Sequence, residues 1–218
     1  MPEATPQFKP RKISSAEFRR SNLFMAWSRK LGRSVNLVGP TQYDAWLMLE
    51  FDSDVKWFCE RPPVHVELLP LEGKRRFLDF WAQRKSGMQF GVALHDVTLS
   101  NDKTCSFERL KRSLDVSKLK CEIWLGSDMR SRVVYVRNLK QLQPFVAMDQ
   151  TTDEQLAMTL VAHLERVKKA SWSELVTLCA SRFEGTVNVE IARLIHKGLI
   201  TANLADHPLA SNTMLSLP

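Results

Sequence analysis

No stretch of this 218-residue chain approaches the roughly 18 uninterrupted apolar residues that a membrane-spanning helix needs. The opening run of residues 1–15 also lacks the apolar centre of a secretory signal. A soluble, cytoplasmic protein without a membrane partner is therefore expected. Cysteine is scarce and scattered: Cys59, Cys105, Cys121 and Cys179 form no C-x-x-C pair and have no histidine at zinc-ligand spacing. That disfavours a zinc site and a disulfide framework, and it fits a reducing compartment. Acidic residues are in deficit, 24 Asp and Glu against 31 Lys and Arg, for a formal net charge of +7. The excess points to an acidic partner, with nucleic acid ahead of anionic membrane.

The positive charge is not spread evenly. Residues 1–38 carry eight Lys and Arg against two Glu, and residues 103–140 carry ten against four. Two basic blocks suggest a directed surface rather than general solubility. The first block is expected to be a basic arm over 1–38, extended through its early prolines, with a short helix over 15–27. Residues 41–51 suit a helix with a broad apolar face, and Pro62-Pro63 breaks the pattern further along. Residues 64–71 alternate as a strand does, 106–114 read as a basic helix, and 120–127 and 132–138 read as further strands. A mixed sheet flanked by helices over 39–148 is the expected fold, an α+β architecture within the α/β class.

Residues 75–98 stand out inside that domain. Phe77, Leu78, Phe80 and Trp81 load one strand, Lys85-Ser86-Gly87 makes a turn, and Phe90, Val92 and Leu94 load a second. Aromatic content on both sides of a glycine-bearing turn predicts a β-hairpin. One carboxylate, Asp79, lies inside the first strand, and His95 and Asp96 lie near the end of the second. A charge in an apolar strand is either an edge solubiliser or part of a site.

Composition changes at Asp149. An amphipathic helix begins at Thr152 or Asp153, and Ser171 caps a second. A third spans 187–197 and stops at Gly198. Short strand-like pieces come next, at 199–204 and 213–217. Three helices and a two-stranded wing describe a winged-helix domain over 149–218. Its third helix carries Arg193 and Lys197 but also Glu190, a weakly basic set that favours protein contact over base reading.

The order of elements then becomes specific. The run S-R-K-L-G-R-S-V (28–35), then Thr41-Gln42-Tyr43-Asp44, L-E-F-D (49–52) and a Pro-Pro before a strand resemble TnsA, the endonuclease subunit of heteromeric cut-and-paste transposases. F-L-D-F (77–80), Y-V-R-N-L-K-Q-L (135–142) and the winged-helix ending extend the resemblance over nearly the whole chain. It implies a restriction-endonuclease-like amino-terminal domain that cuts DNA with Mg2+ held by carboxylates on a helix and a hairpin. The metal positions and activates a water, and a lysine stabilises developing charge. It also implies DNA, a DDE-type transposase subunit and an AAA+ ATPase regulator as partners.

The family site falls here on Gln42, Asp79, Ala93 and His95. The helix glutamate is a neutral amide, the strand aspartate is kept, and the closing E-x-K reads Ala93-Leu94-His95. Histidine near neutral pH is partly uncharged, so it is a weak substitute for lysine. The resemblance thus implies a DNA-binding subunit that has lost its cutting chemistry and needs no cofactor, with Asp79 as the surviving metal-ligand position. Expected DNA contacts are Arg29, Lys30, Arg33, Arg75, Arg76, Lys111 and Arg112. Two alternatives remain. One is an active Mg2+-dependent endonuclease, cutting transposon ends with a site rebuilt from Asp96, Glu67 or Asp44. The other is a basic two-domain DNA-binding regulator unrelated to transposition.

Overall fold

The structure is a computed structural model that describes residues 8–68, 73, 75–95, 102–148, 153–183 and 185–218. The architecture is mixed α/β, with a mixed sheet flanked by helices. Two compact units form: one runs through Leu49 and resumes over Asp54–Ser131, and the other joins Glu50–Ser53 to Arg132–Pro218. Composition shifts near residue 149, but the compact units part at Arg132. Among the described residues, no helix is long and apolar enough to cross a membrane.

The first unit opens with helix α1 (Ser15–Arg20), started by a reciprocal capping box between Ser14 and Glu17. Strands β1 (Leu23–Ser28) and β2 (Arg33–Val38) then pair antiparallel, from Leu23↔Val38 to Ser28↔Arg33. The basic arm expected over 1–38 is therefore folded over much of its length, and a hairpin replaces the later part of the expected helix. Its inward positions explain why. Val35 and Leu37 are fully buried, Phe24 stacks on Tyr43 at 5.0 Å, and Arg29 and Lys30 fall in the turn between the strands. Helix α2 (Pro40–Phe51) comes next, with proline at its first position, where no amide is needed. Its last turn, from Glu50, counts with the second unit.

Strand β3 (Val55–Glu60) leads to a small antiparallel pair, β4 (His65–Glu67) and β5 (Arg75–Phe77). The expected first hairpin strand breaks at Leu78–Asp79, so β5 ends there and β6 (Phe80–Arg84) begins. Strand β7 (Gln89–His95) completes the hairpin with β6. Helix α3 (Asp102–Ser117) carries the chain to β8 (Cys121–Leu125), and α4 (Gly126–Ser131) closes the unit. The sheet order is β3-β6-β7-β8, antiparallel except for the parallel β7–β8 pair. A parallel pair needs a crossover connection, which α3 supplies.

The second unit begins its long helices with α5 (Val133–Ala147). Residues 132–138, expected as a strand, are helical instead, because Val136, Leu139, Leu142 and Val146 bury at helical spacing. That spacing outweighs the β-branched content. Helix α6 (Glu154–Val167) is capped by Asp153, and β9 (Lys169–Ser171) leads into α7 (Trp172–Cys179) through a Ser171–Glu174 capping box. Helix α8 (Val187–Lys197) ends at Gly198, which is left-handed at φ +73°. Strands β10 (Thr201–Ala202) and β11 (Met214–Ser216) join β9 in an antiparallel sheet of order β10-β11-β9. Asn138, fully buried on α5, pins the loop after β10. Its amide donates to the carbonyls of Leu204 and His207 at 2.8 and 2.7 Å, and its Oδ1 accepts from the Leu209 amide at 2.8 Å.

Candidate nucleic-acid interface in the first unit

A cleft of about 650 Å3 opens where the start of α2, the end of β3 and the β5–β6 break come together. Gln42 and Asp79 both line it, as do Arg11, Arg61, Arg75 and Arg76. Each arrives by a local route. Gln42 sits in the first turn of α2, where its Oε1 accepts the Val38 amide at 2.7 Å. It therefore satisfies a backbone donor just outside the helix start, a structural task a glutamine performs without charge. Gln42 is only 5% exposed, so its carbonyl is committed rather than open to a ligand.

Asp79 occupies the break between β5 and β6. Its amide donates to the Val92 carbonyl at 2.9 Å, and its own carbonyl accepts from the Arg61 amide at 2.7 Å. The side chain turns back onto β7, where Oδ2 accepts the Leu94 amide at 2.7 Å, with Arg76 Nη2 3.9 Å away. Arg76 also donates to the Leu94 carbonyl. Burial pushes the Asp79 carboxyl up to about 6, partly offset by the Leu94 hydrogen bond and the charges of Arg76 and Arg11. A carboxylate hydrogen-bonded in this way serves the sheet as well as the cleft.

The other two expected site positions do not line the cleft. Ala93 is fully buried in an apolar cluster with Val66, Leu78, Leu110 and Leu114. An acidic residue there would be desolvated among hydrocarbon. His95 is 6% exposed, and its ring lies 5.5 Å from that of Phe107 on α3. The two share a strand face, as residues two apart must, and that face packs on α3. Of the possible replacement carboxylates, Asp44 and Glu67 do not line the cleft, and Asp96 lies outside the described residues. Glu67 instead faces Arg75 at 3.8 Å.

The expected DNA-contact residues divide as well. Arg75 and Arg76 line the cleft. Lys111 and Arg112 are exposed on α3, and Arg29 lies in the β1–β2 turn. Lys30 donates to the Leu49 carbonyl at 2.8 Å. Arg33 forms a two-pronged pair with the buried Glu60 at 2.7 and 2.6 Å, which raises its pKa further. That pair holds β2 to the end of β3.

Sequence reasoning missed Arg11 and Arg61, which the fold brings together. The segment before α1 lies along the sheet. Phe8 meets Trp81 edge-on at 5.9 Å, the Arg11 guanidinium stacks over Phe77 at 3.8 Å, and the Arg11 amide donates to the Arg61 carbonyl at 2.9 Å. Arg61 is 6% exposed and adopts φ +47°, a left-handed conformation unusual for a side chain with a Cβ. Burial lowers its pKa, against the raising effect of Glu60 and Glu17, and Arg11 adds to the lowering. The available signal was a cation at the end of an apolar strand, directly before Pro62-Pro63.

A divalent cation fits this cleft poorly. Mg2+ seeks several anionic or neutral oxygens. Glu17 is the only carboxylate besides Asp79 among the described lining residues, and it is engaged in the α1 capping box. Gln42 has committed its carbonyl, and four guanidinium groups oppose a second cation. Among the described residues, no group of three His, Cys, Asp or Glu side chains is placed to hold a metal ion.

The third helix of the expected winged-helix domain is α8. Glu190 and Arg193 are 2% and 1% exposed, 3.8 Å apart, and Arg193 donates to the Met148 carbonyl at 2.7 Å. His196 meets Glu50 at 2.9 Å, also buried. Lys197 is the only fully exposed residue of the helix. Most polar groups of α8 thus face the interior of the unit and are not presented to a groove. No family model matches the chain, and no curated protein matches it.

Proposed function

We propose that the chain is a DNA-binding, TnsA-like subunit of a transposition complex that does not itself cut DNA. It acts in assembly with a DDE-type transposase and an AAA+ ATPase regulator. One observation carries this reading: Asp79 on the hairpin and Gln42 on the helix border a single cleft whose other charged lining is four arginines and one capped glutamate. That lining attracts a phosphate backbone but lacks the oxygen donors that a cutting metal needs. A helix and a hairpin facing one cleft in a mixed sheet are what a restriction-endonuclease-like domain would present. Helices α6, α7 and α8 followed by β10 and β11 support a winged-helix reading of the second unit, and the buried polar face of α8 favours assembly contacts over base reading.

The test is fluorescence anisotropy of the full chain on a labelled duplex across a salt series. Affinity should fall steeply with salt, the log–log slope growing by about 0.9 for each phosphate neutralised. A folded sample that binds no duplex at low salt would overturn the reading. Co-elution with a DDE-type transposase and an AAA+ regulator on DNA tests the assembly role separately.

A further inference from the structure

Several charges in the first unit's cleft have a visible task. Glu17 caps α1, Asp79 holds the Leu94 amide, and Arg76 is tied to the Leu94 carbonyl. Arg61 is different. Its Nε and Nη1 are buried and have no hydrogen-bond partner among the described residues. The buried Nε of neighbouring Arg11 is likewise without one. A guanidinium offers five donors in a planar fork, and leaving buried donors unmade costs free energy.

We propose that Arg61, with Arg11 beside it, forms a phosphodiester subsite next to Asp79, a cationic cradle where a cutting nuclease would hold a metal. This deepens the DNA-binding reading above and rests on it. The preorganisation is visible. The Arg61 backbone is held left-handed between the Asp79 carbonyl and the Arg11 amide, and Arg11 is stacked flat on Phe77. Strain and unmade bonds of this kind persist where a ligand later uses them. The Nε–H and the Nη1 hydrogens lie on different edges of the planar guanidinium, so separate phosphate oxygens would meet them, with one charge-assisted bond each. The unmade donors need an acceptor with negative charge, and neither the Glu17 nor the Asp79 carboxylate accepts a bond from the Arg61 guanidinium.

The full chain tests this in two arms. In the first, inorganic phosphate is titrated at constant ionic strength while the melting temperature is followed. Wild type should rise, and Arg61→Leu should not respond. In the second, duplex binding is measured by anisotropy. Arg61→Leu and Arg11→Leu should each lose roughly tenfold in affinity, and each should flatten the salt slope by about 0.9. Lys197→Ala, on the exposed end of α8, should leave both readouts unchanged.

Circular dichroism checks folding. If Arg61→Leu fails to fold, Arg61→Lys replaces it; it keeps the charge but loses the fork, and should bind DNA more weakly with the slope nearly kept. Folded Arg61 variants with wild-type affinity and slope would overturn the subsite. A phosphate response that depends on Arg61 in a chain that binds no duplex would leave the subsite standing and defeat the DNA reading. No response in either arm would defeat both.

Discussion

Each unit buries an arginine, and comparing the two separates structure from function. In the second unit Arg193 is 1% exposed, donates to the Met148 carbonyl at 2.7 Å and lies 3.8 Å from Glu190. In the first, Arg61 is 6% exposed, sits on a left-handed backbone and has two buried nitrogens without acceptors among the described residues. The first arrangement ties a buried guanidinium to a carbonyl and a carboxylate, as stability asks; the second gives its guanidinium neither among the described residues, which a binding site tolerates. The same contrast appears among the neighbours. Asn138 in the second unit satisfies three backbone groups of one loop, whereas the cleft of the first gathers like charges.

The largest expected effect breaks the Arg193 side of the comparison. Arg193→Leu takes a buried guanidinium away from Glu190 and the Met148 carbonyl, and should cost about 3–5 kcal/mol in denaturant unfolding of the second unit. Asn138→Ala ranks second, at about 2–4 kcal/mol, because three backbone groups lose their partner at once. Protection of the 204–209 amides from hydrogen exchange should fall with it. Arg61→Leu should do the reverse and stabilise the first unit by about 1–2 kcal/mol, since it removes unmade donors and a desolvated charge. A loss of stability comparable to that of Arg193→Leu would erase the distinction between the two arginines.

The smallest effect concerns Asp79. Its folded pKa is raised from 3.8 to about 6, so between those values the folded state holds a proton that the unfolded state has released. Stability should therefore decline as pH rises through that window and level off above it. Asp79→Asn keeps an acceptor for the Leu94 amide and removes the charge. It should abolish that decline and raise stability at pH 7 relative to wild type, read from unfolding curves at pH 4, 5, 6 and 7.

The hairpin was legible in the sequence because its signals are local: aromatic strands, a Lys85-Ser86-Gly87 turn and a carboxylate in an apolar run. The caps at Asp153 and Ser171 and the stop at Gly198 were legible for the same reason. Strand β3 was not, because Val55, Phe58 and Cys59 bury without alternation and Pro62-Pro63 drew attention as a breaker. Residues 132–138 misled because valine and tyrosine favour strands, while the burial that decided the matter recurs over the next ten residues as well. Gln42 and Asp79 line one cleft. Ala93 and His95 pack on α3 instead, which only the sheet's facing could reveal. Arg61 was invisible as a site residue because its burial depends on Arg11 and Asp79, fifty and eighteen positions away in the chain.

The proposed function needs a cleft that holds DNA phosphate through arginine and does not cut. Incubating the full chain with supercoiled plasmid and Mn2+, with and without the transposase partner, reads both halves in one gel. Retarded plasmid that remains supercoiled is expected in the sample without the partner, with any cutting in the partnered sample unchanged by Asp79→Ala. Nicking that requires Mn2+ and disappears in Asp79→Ala would contradict it.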